Sequence, residues 1–396
     1  MGKYIKLFKN HSQYEETRQN LILPNVSHCI QEVEVHYNPL IPHDYSQDYL
    51  TTVALEDGTI SFNILKSMGT DMITSISYSI DEGETWETVQ NQDDKQEHLA
   101  IDVYVNEGDK VLWKGDAQQM GYYDQDEYGD YVGSFFSSTC EFDVEGNMMS
   151  LLYGDDFKGE DTLEYEGQFA CLFYDYDEEK ECKVVNARNL SLSATTLVEG
   201  CYSSMFQGCT SLTTAPELPA TALTRYCYSN MFYDCTNLTS APELPATTLA
   251  DSCYYNMFSS CASLTTAPEL PATILKSSCY NSMFQGCTSL TTAPELPATT
   301  LAINCYGYMF RNCTSLTTAP ELLATILAES CYSNIFNGCS NLNYIKCLAT
   351  DKSAAFCTSY WVSGVASSGT FVKAASMTSW PSGTSGIPSN WTVQDA

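Results

Sequence analysis

One arrangement of apolar and polar positions recurs every 26 residues through the second half of the chain. The stretch "CTSLTTAPELPATTLA", residues 287–302, is one copy. Cysteines fall at 201, 227, 253, 279, 305, 331 and 357, with a second column eight residues on at 209, 235, 261, 287, 313 and 339. Cys201, Tyr202, Met205 and Phe206 stand at i, i+1, i+4 and i+5, the spacing of one helical face. This predicts a helix of about two turns at the head of each unit. Gly200, Tyr226, Ser252, Ser278, Asn304 and Ser330 occupy the N-cap, and Gly208, Asp234, Ser260, Gly286, Asn312 and Gly338 stand where it stops. A short strand is expected next, over Leu212 to Ala215. Pro216 ends it, because proline cannot donate a ladder hydrogen bond. Leu218 and Leu223 then turn inward again. No single unit can bury its apolar side alone, so the units are expected to stack at about 5 Å each.

Residues 49–147 follow a different period. Ile76, Tyr78 and Ile80 alternate with serine, and Leu99, Ile101, Val103 and Val105 alternate with mixed neighbours. Asp57-Gly58, Glu82-Gly83 and Glu107-Gly108-Asp109 mark turns. An all-β domain results, expected as a sandwich. Residues 1–48, with Pro39 and Pro42, read as an arm. Residues 182–200 read as a degenerate first coil, since Leu192 and Leu197 stand 26 residues before Leu218 and Leu223. "LNYIKCLATDKSAAFC" closes the array without the two prolines, and residues 362–396 read as a strand-and-turn cap. The expected domains are 1–48, 49–147, 148–361 and 362–396.

Charge narrows the function classes. The net charge is −31, of which residues 201–396 carry −4 and residues 1–200 carry −27. Such a chain repels nucleic acid. No stretch is apolar enough for a bilayer-spanning helix. The start, MGKYIKLFKNHSQYEE, has no apolar core and does not read as a secretory signal.

The unit "MFxxCxSLTxAPELPATxLA" resembles leucine-rich repeats of the BspA-like class, found in surface proteins of gut anaerobes. The likeness covers residues 149–361, with "MMSLLYGDDFKG" similar to that family's lead-in. It implies a multidomain β plus α/β solenoid, in which a β-sandwich precedes a leucine-rich-repeat solenoid of 26-residue coils. "LPNVSHC…VHYNP" resembles an N-terminal segment of structural proteins of phages and prophages of gut anaerobic bacteria. Together these imply a non-enzymatic binding protein exposed on a virion, of fibre or host-attachment type. The alternative is a bacterial cell-surface adhesin. The implied partner is a protein or glycan on a cell surface, with the arm docked on another virion protein. No nucleic acid, membrane insertion, cofactor or metal is expected.

Candidate chemistry is sparse. Ser79-Ile80-Asp81-Glu82-Gly83-Glu84-Thr85-Trp86 fits the Asp-box pattern S-x-D-x-G-x-T-W, which sialidases carry as a hairpin device. The arginine cluster of such enzymes has no counterpart in Arg18, Arg188, Arg225 and Arg311, which are scattered, so glycan hydrolysis ranks a distant third. Cysteines eight apart cannot share a metal or a disulfide, and stacked ones point in parallel, so reduced ladders are expected. "YYDQDEYGDY" (122–131) and "DYDEEKE" (175–181) read as acidic loops rather than calcium sites. The candidate binding face is the pair of columns Thr213, Thr239, Thr265, Thr291, Thr317 and Glu217, Glu243, Glu269, Glu295, Glu321. Stacked carboxylates repel one another, so backbone N–H groups, solvent or a cation must offset them. The candidate recognition positions, where units differ, are Thr224, Arg225, Tyr226, Tyr233, Lys276 and Arg311.

Overall fold

Alternating apolar residues in the first half pair into two facing sheets. The computed structural model describes residues 43–65, 73–91, 98–124, 130–175, 181–378 and 380–396. The arm expected at 1–48 therefore lies outside the described residues as far as residue 42, as do the centres of both acidic loops. Met1–Asp44 and Tyr45–Ala396 are separate units, and the second is described here. Ten strands open it: β1 (Leu50–Ala54), β2 (Gly58–Leu65), β3 (Ile73–Ser79), β4 (Glu87–Gln90), β5 (His98–Val105), β6 (Lys110–Ala117), β7 (Gly121–Asp124), β8 (Asp130–Gly133), β9 (Phe135–Ser138) and β10 (Phe142–Asn147). β11 (Val184–Ser191) joins the larger sheet, whose order is β11-β10-β1-β6-β3-β4; β5-β2-β9 forms the other face and β7-β8 a separate ribbon. Phe62 of β2 meets Trp113 of β6 with ring centroids 6.2 Å apart, and Phe136 of β9 packs edge-on to both. Ile76, Ile101, Val103 and Val105 are buried as the alternation requires, whereas Ile80 is 67% exposed because the strand has already ended in the hairpin turn.

The head of each repeat is not a helix. Among the described residues the α-helical geometry is confined to one turn, Ser150–Tyr153. Residues 200–209 instead form consecutive turns in which backbone donors alternate. Ser203, Met205, Gln207 and Cys209 donate their N–H three residues back, while Tyr202, Ser204, Phe206 and Gly208 donate to Cys227, Ser229, Met231 and Tyr233 of the next unit at 2.8–3.0 Å. The same scheme repeats down the array. An α-helix closes all its bonds internally, so it has nothing to offer the next unit. The turns leave every second N–H free to do so.

This alternation requires a left-handed residue every fourth position. Gly200, Ser204 and Gly208 have φ of +62°, +55° and +69°, and the positions read as N-caps, Tyr226, Ser252, Ser278, Asn304 and Ser330, have φ of +52° to +56°. A left-handed non-glycine residue costs about 1–2 kcal/mol. The inter-unit hydrogen bonds return about 1 kcal/mol each, and a buried N–H left unpaired costs about 1–3 kcal/mol. With four or more such bonds per unit, pairing roughly offsets that cost, and burial of the ring columns adds the rest. Gly200 has a second constraint: a Cβ there would stand 2.0 Å from the Tyr131 ring.

Fixed register stacks like on like. Tyr202, Tyr228, Tyr254, Tyr280, Tyr306 and Tyr332 form one ring column, with successive centroids 5.7–6.2 Å apart and planes within 11°. Phe206, Phe232, Phe258, Phe284, Phe310 and Phe336 form another at 5.5–5.9 Å, in the offset-stacked range. The phenylalanine column continues through Phe173 to Phe136, so the repeats and the facing sheets share one core. Residues 167–173 already obey the scheme: Gly167, Phe169, Cys171 and Phe173 donate to Glu199, Cys201, Ser203 and Met205. The array thus begins earlier than 182, at a segment whose Phe-x-x-x-Phe spacing matches Tyr202 and Phe206.

The extended part of each unit obeys its prolines. Units with "APELP" touch through single parallel bridges, such as Thr214↔Ser240↔Thr266↔Thr292. Where the prolines are lost, pairing lengthens into the strands β12 (Tyr344–Cys347), β13 (Thr370–Lys373) and β14 (Thr392–Asp395), a parallel sheet. Residues 362–396, expected as a cap, add two strands to the end of the array: Tyr344 pairs with Thr370, 26 residues on, and Thr370 with Thr392, 22 residues on. Trp361 stacks on Tyr332, and Trp380 on Trp361 at 5.4 Å, closing the ring column.

The left-handed columns make a sharp prediction at Asn256, whose φ is +54°. Asn256→Gly holds or raises the melting temperature, and Asn256→Val lowers stability by about 1–2 kcal/mol. Chemical denaturation of both variants checks it; equal losses would show that the side chain, not φ, decides.

Candidate functional site

The constant columns lie on the proline face. Thr213, Thr239, Thr265, Thr291 and Thr317 are exposed, as are Glu217, Glu243, Glu269, Glu295 and Glu321. Two of the threonine hydroxyls serve the stack: Thr213 Oγ1 donates to Val185 O at 3.0 Å and Thr265 Oγ1 to Thr239 O at 3.5 Å. Proline rings hold neighbouring backbones apart and leave hollows between units. One, of about 510 Å³, is lined by Arg188, Pro216, Glu217, Pro219, Pro242 and Glu243 among others. A second, of about 270 Å³, is lined by Pro294, Glu295, Pro297, Pro320, Glu321 and Leu323. Glu321 is offset by Lys346 at 2.9 Å, so a lysine of the next unit supplies a cation at that end of the column. Among the described residues no group of three or more His, Cys, Asp or Glu is arranged to hold a metal ion.

The variable positions separate into frame and surface. Thr224 belongs to the frame, donating its hydroxyl to Val198 O at 2.7 Å. Arg225 is exposed, pairs with Glu199 at 3.2 Å and lies 4.6 Å over the Tyr226 ring. Tyr226 is half-buried against Tyr131, Ala170 and Cys171. Tyr233 is half-buried, and Lys276 is exposed. Arg311 lies 5.7 Å over Tyr308, with its Nε buried and without a hydrogen-bond partner. Tyr233 and Arg311 share a column three units apart, and Thr224 and Lys276 another two units apart. These residues therefore mark one face without converging on one point.

That face carries two residues the sequence reading passed over. Phe356 and Tyr360 are 69% and 58% exposed, with φ of +55° and +48°. They hold the left-handed columns where the preceding unit has Ser330 and Asn334. The register carries the signal: each column is serine, asparagine and glycine except for one tyrosine, Tyr226 or Tyr308, and this last aromatic residue.

Elsewhere the Asp-box pattern is a hairpin brace. Ser79 Oγ accepts the Gly83 N–H at 2.9 Å and donates to Asp81 at 2.7 Å; Asp81 accepts the Thr85 N–H at 2.9 Å and hydroxyl at 2.6 Å. Hydrogen bonds from the Thr85 hydroxyl and amide, then from Ser79, hold the Asp81 carboxyl down to about 2. Trp86 beyond the turn receives Lys114 4.1 Å over its ring, and Lys114 pairs with Asp155 at 2.7 Å.

The described cysteines, seventeen in all, are buried. In the second column each thiol donates to a carbonyl of the preceding unit: Cys235, Cys261, Cys287, Cys313 and Cys339 to Phe206, Phe232, Phe258, Phe284 and Phe310, at 2.9–3.1 Å. Burial pushes the thiols of Cys201, Cys279, Cys331, Cys339 and Cys347 up to about 12.

With this geometry in hand, comparison of the chain with protein-family models, curated proteins and solved structures returned no match.

Two outcomes follow from the brace and the thiols. Asp81 has a depressed folded value, so its contribution is present above its ordinary value of 3.8 and is lost as pH falls through about 2. The stability gap between the native chain and Asp81→Asn is constant from about pH 5 to 8 and closes below about pH 4; a gap unchanged at about pH 2 contradicts the assignment. Alkylation followed by mass spectrometry is expected to leave the thirteen ladder cysteines unmodified in the native protein and to modify all in denaturant. Fast native labelling at Cys261 would show that the ladder opens.

Proposed function

We propose that this chain is a non-enzymatic binding protein built on a leucine-rich-repeat solenoid of the BspA-like type, displayed on a virion exterior as a fibre or host-attachment component. The observation that carries the reading is a constant frame with a varied surface. The Cys, Tyr, Met, Phe and Leu columns repeat nearly unchanged and are buried, while the outward turn positions change from unit to unit. Repeat proteins use such surfaces to choose a partner.

The thiols favour the virion over the cell-surface alternative. A chain with eighteen cysteines, whose second-column thiols each donate to a backbone carbonyl, suits folding where thiols stay reduced. A virion protein folds in that setting and leaves by lysis. The face carrying Arg225, Tyr226, Lys276 and Arg311 meets a protein or glycan on the target cell in this reading, and the N-terminal arm docks on another virion protein.

Mass spectrometry of purified particles and of protease-shaved cell surfaces from the source culture tests the reading. Peptides of this chain in intact particles are the expected result. Their absence from particles, with recovery from shaved cells, would replace the virion component by an adhesin.

A further inference from the structure

Phe356 and Tyr360 are the exposed residues that the fold explains least. From Gly200 onward the left-handed columns are filled by glycine, serine and asparagine with five exceptions: Asp234, Tyr226, Tyr308 and these two rings. Tyr226 lies under Arg225, and Tyr308 is faced by Arg311. Both arginines are supplied by the tyrosine's own unit. Phe356 and Tyr360 carry the same backbone cost with their rings in solvent, 69% and 58% exposed. Bulky residues in this region of φ are outliers, and such strain concentrates at ligand sites. The unit's own frame does not require them, since Ser330 and Asn334 fill the same two positions one unit earlier.

We propose that Phe356 and Tyr360 form a stacking platform for a neutral oligosaccharide. The surroundings select that ligand. Ser359 and Ser363 flank Tyr360 in its own unit, and Thr384 and Ser385 stand in the segment beyond, both exposed. Ser385 Oγ accepts the Tyr360 N–H at 2.9 Å and so fixes the backbone under the ring. Asn334 and Asn337 stand on the preceding unit, joined by an amide hydrogen bond of 2.9 Å. Hydroxyls and amides donate and accept at once, as sugar hydroxyls require. The electron-rich ring faces take the C–H face of a pyranose.

Charge decides between classes of sugar. Glu329 and Asp351 are exposed nearby, and Lys352, the cation of that segment, sits 5.6 Å over Trp380. Residues 201–396 as a whole carry −4. An anionic polysaccharide is repelled; an uncharged one is not. A protein anchor site would sit in a wider apolar patch with a dry rim, whereas these rings are set among serine, threonine and asparagine.

The inference rests on the binding reading above, and its test separates the two. The full chain is titrated with maltohexaose, cellohexaose, chitohexaose and hyaluronan oligosaccharide by calorimetry and saturation-transfer NMR. At least one neutral hexasaccharide binds and hyaluronan does not. The double variant Phe356→Ser/Tyr360→Asn, which installs the preceding unit's residues, folds with an unchanged or higher melting temperature and loses roughly tenfold or more in affinity. Tyr104→Ser, which removes an exposed ring on β5, binds as before. No binding to any neutral hexasaccharide, or full binding by the double variant, overturns the platform. A lowered melting temperature of the double variant does so too, since the rings would then be structural. Attachment of the native chain to target cells is measured alongside. Attachment that persists after the cells' polysaccharide is stripped rejects the sugar and keeps the binding protein; no attachment at all rejects both.

Discussion

Every second backbone N–H in the turn segment leaves its own unit and bonds the next. The rest of the ladder depends on that alternation. It fixes the spacing between units, demands a left-handed residue every fourth position, and prevents any slip in register. A slip by one residue would exchange donors that point outward for donors that point back, and would turn Phe258 and its column from core to surface. Stacked tyrosines, stacked phenylalanines and aligned thiols are consequences of this pairing. Their burial then supplies the stability that pairing alone lacks, since a net hydrogen bond contributes about 1 kcal/mol and a fully buried phenylalanine about 1.5–3 kcal/mol.

Proline gives the two faces different characters. On the turn face, hydrogen bonds between units are dense and the outward side chains are free to vary. On the other face, "APELP" forbids continuous pairing, so neighbours touch at single bridges and hollows open between them. The contrast within one molecule isolates the cause. In β11, β12 and β13 the prolines are missing and ordinary parallel strands form. The middle units are thus kept from becoming a flat sheet with a long adhesive edge, a hazard that proline commonly blunts.

Much of this was legible in the residues. The 26-residue period gave the core columns, and turn residues placed the strands of the first half; the strand expected over Leu212 to Ala215 is reduced to a single bridge at Thr214. The helix at the head of each unit was misread because Cys201, Tyr202, Met205 and Phe206 fit a helical face equally well. A spacing of four is shared by a helix and by turns that repeat every four residues. The distinguishing letters were Gly200, Ser204 and Gly208: small residues at strict four-residue intervals point to repeated left-handed φ, whereas a helix tolerates one at its end. The continuous core between the facing sheets and the repeats was invisible for another reason. It depends on Phe136 and Phe173, whose stacking spans an insertion that breaks the period. Of the candidate residues, Glu217, Glu243, Glu295 and Glu321 line hollows, whereas Thr224 belongs to the frame.

The choice of cysteine for the two inner columns follows from the same geometry. A residue squeezed between ring stacks must be small and must leave no buried polar group unmet. Alanine is smaller and leaves a void. Serine fills little more and buries a hydroxyl that needs a partner. Valine adds a branch that the fixed spacing cannot admit. A thiol fills the space as a small hydrophobe and still donates, as Cys261 does to Phe232 O at 3.1 Å. Once buried it is inert, because the thiolate that would react is strongly disfavoured there. The vulnerable state is the unfolded one, in which every thiol of the array is accessible and wrong pairings are many. A frame that is indifferent to oxidant once assembled therefore has to assemble where oxidant is scarce.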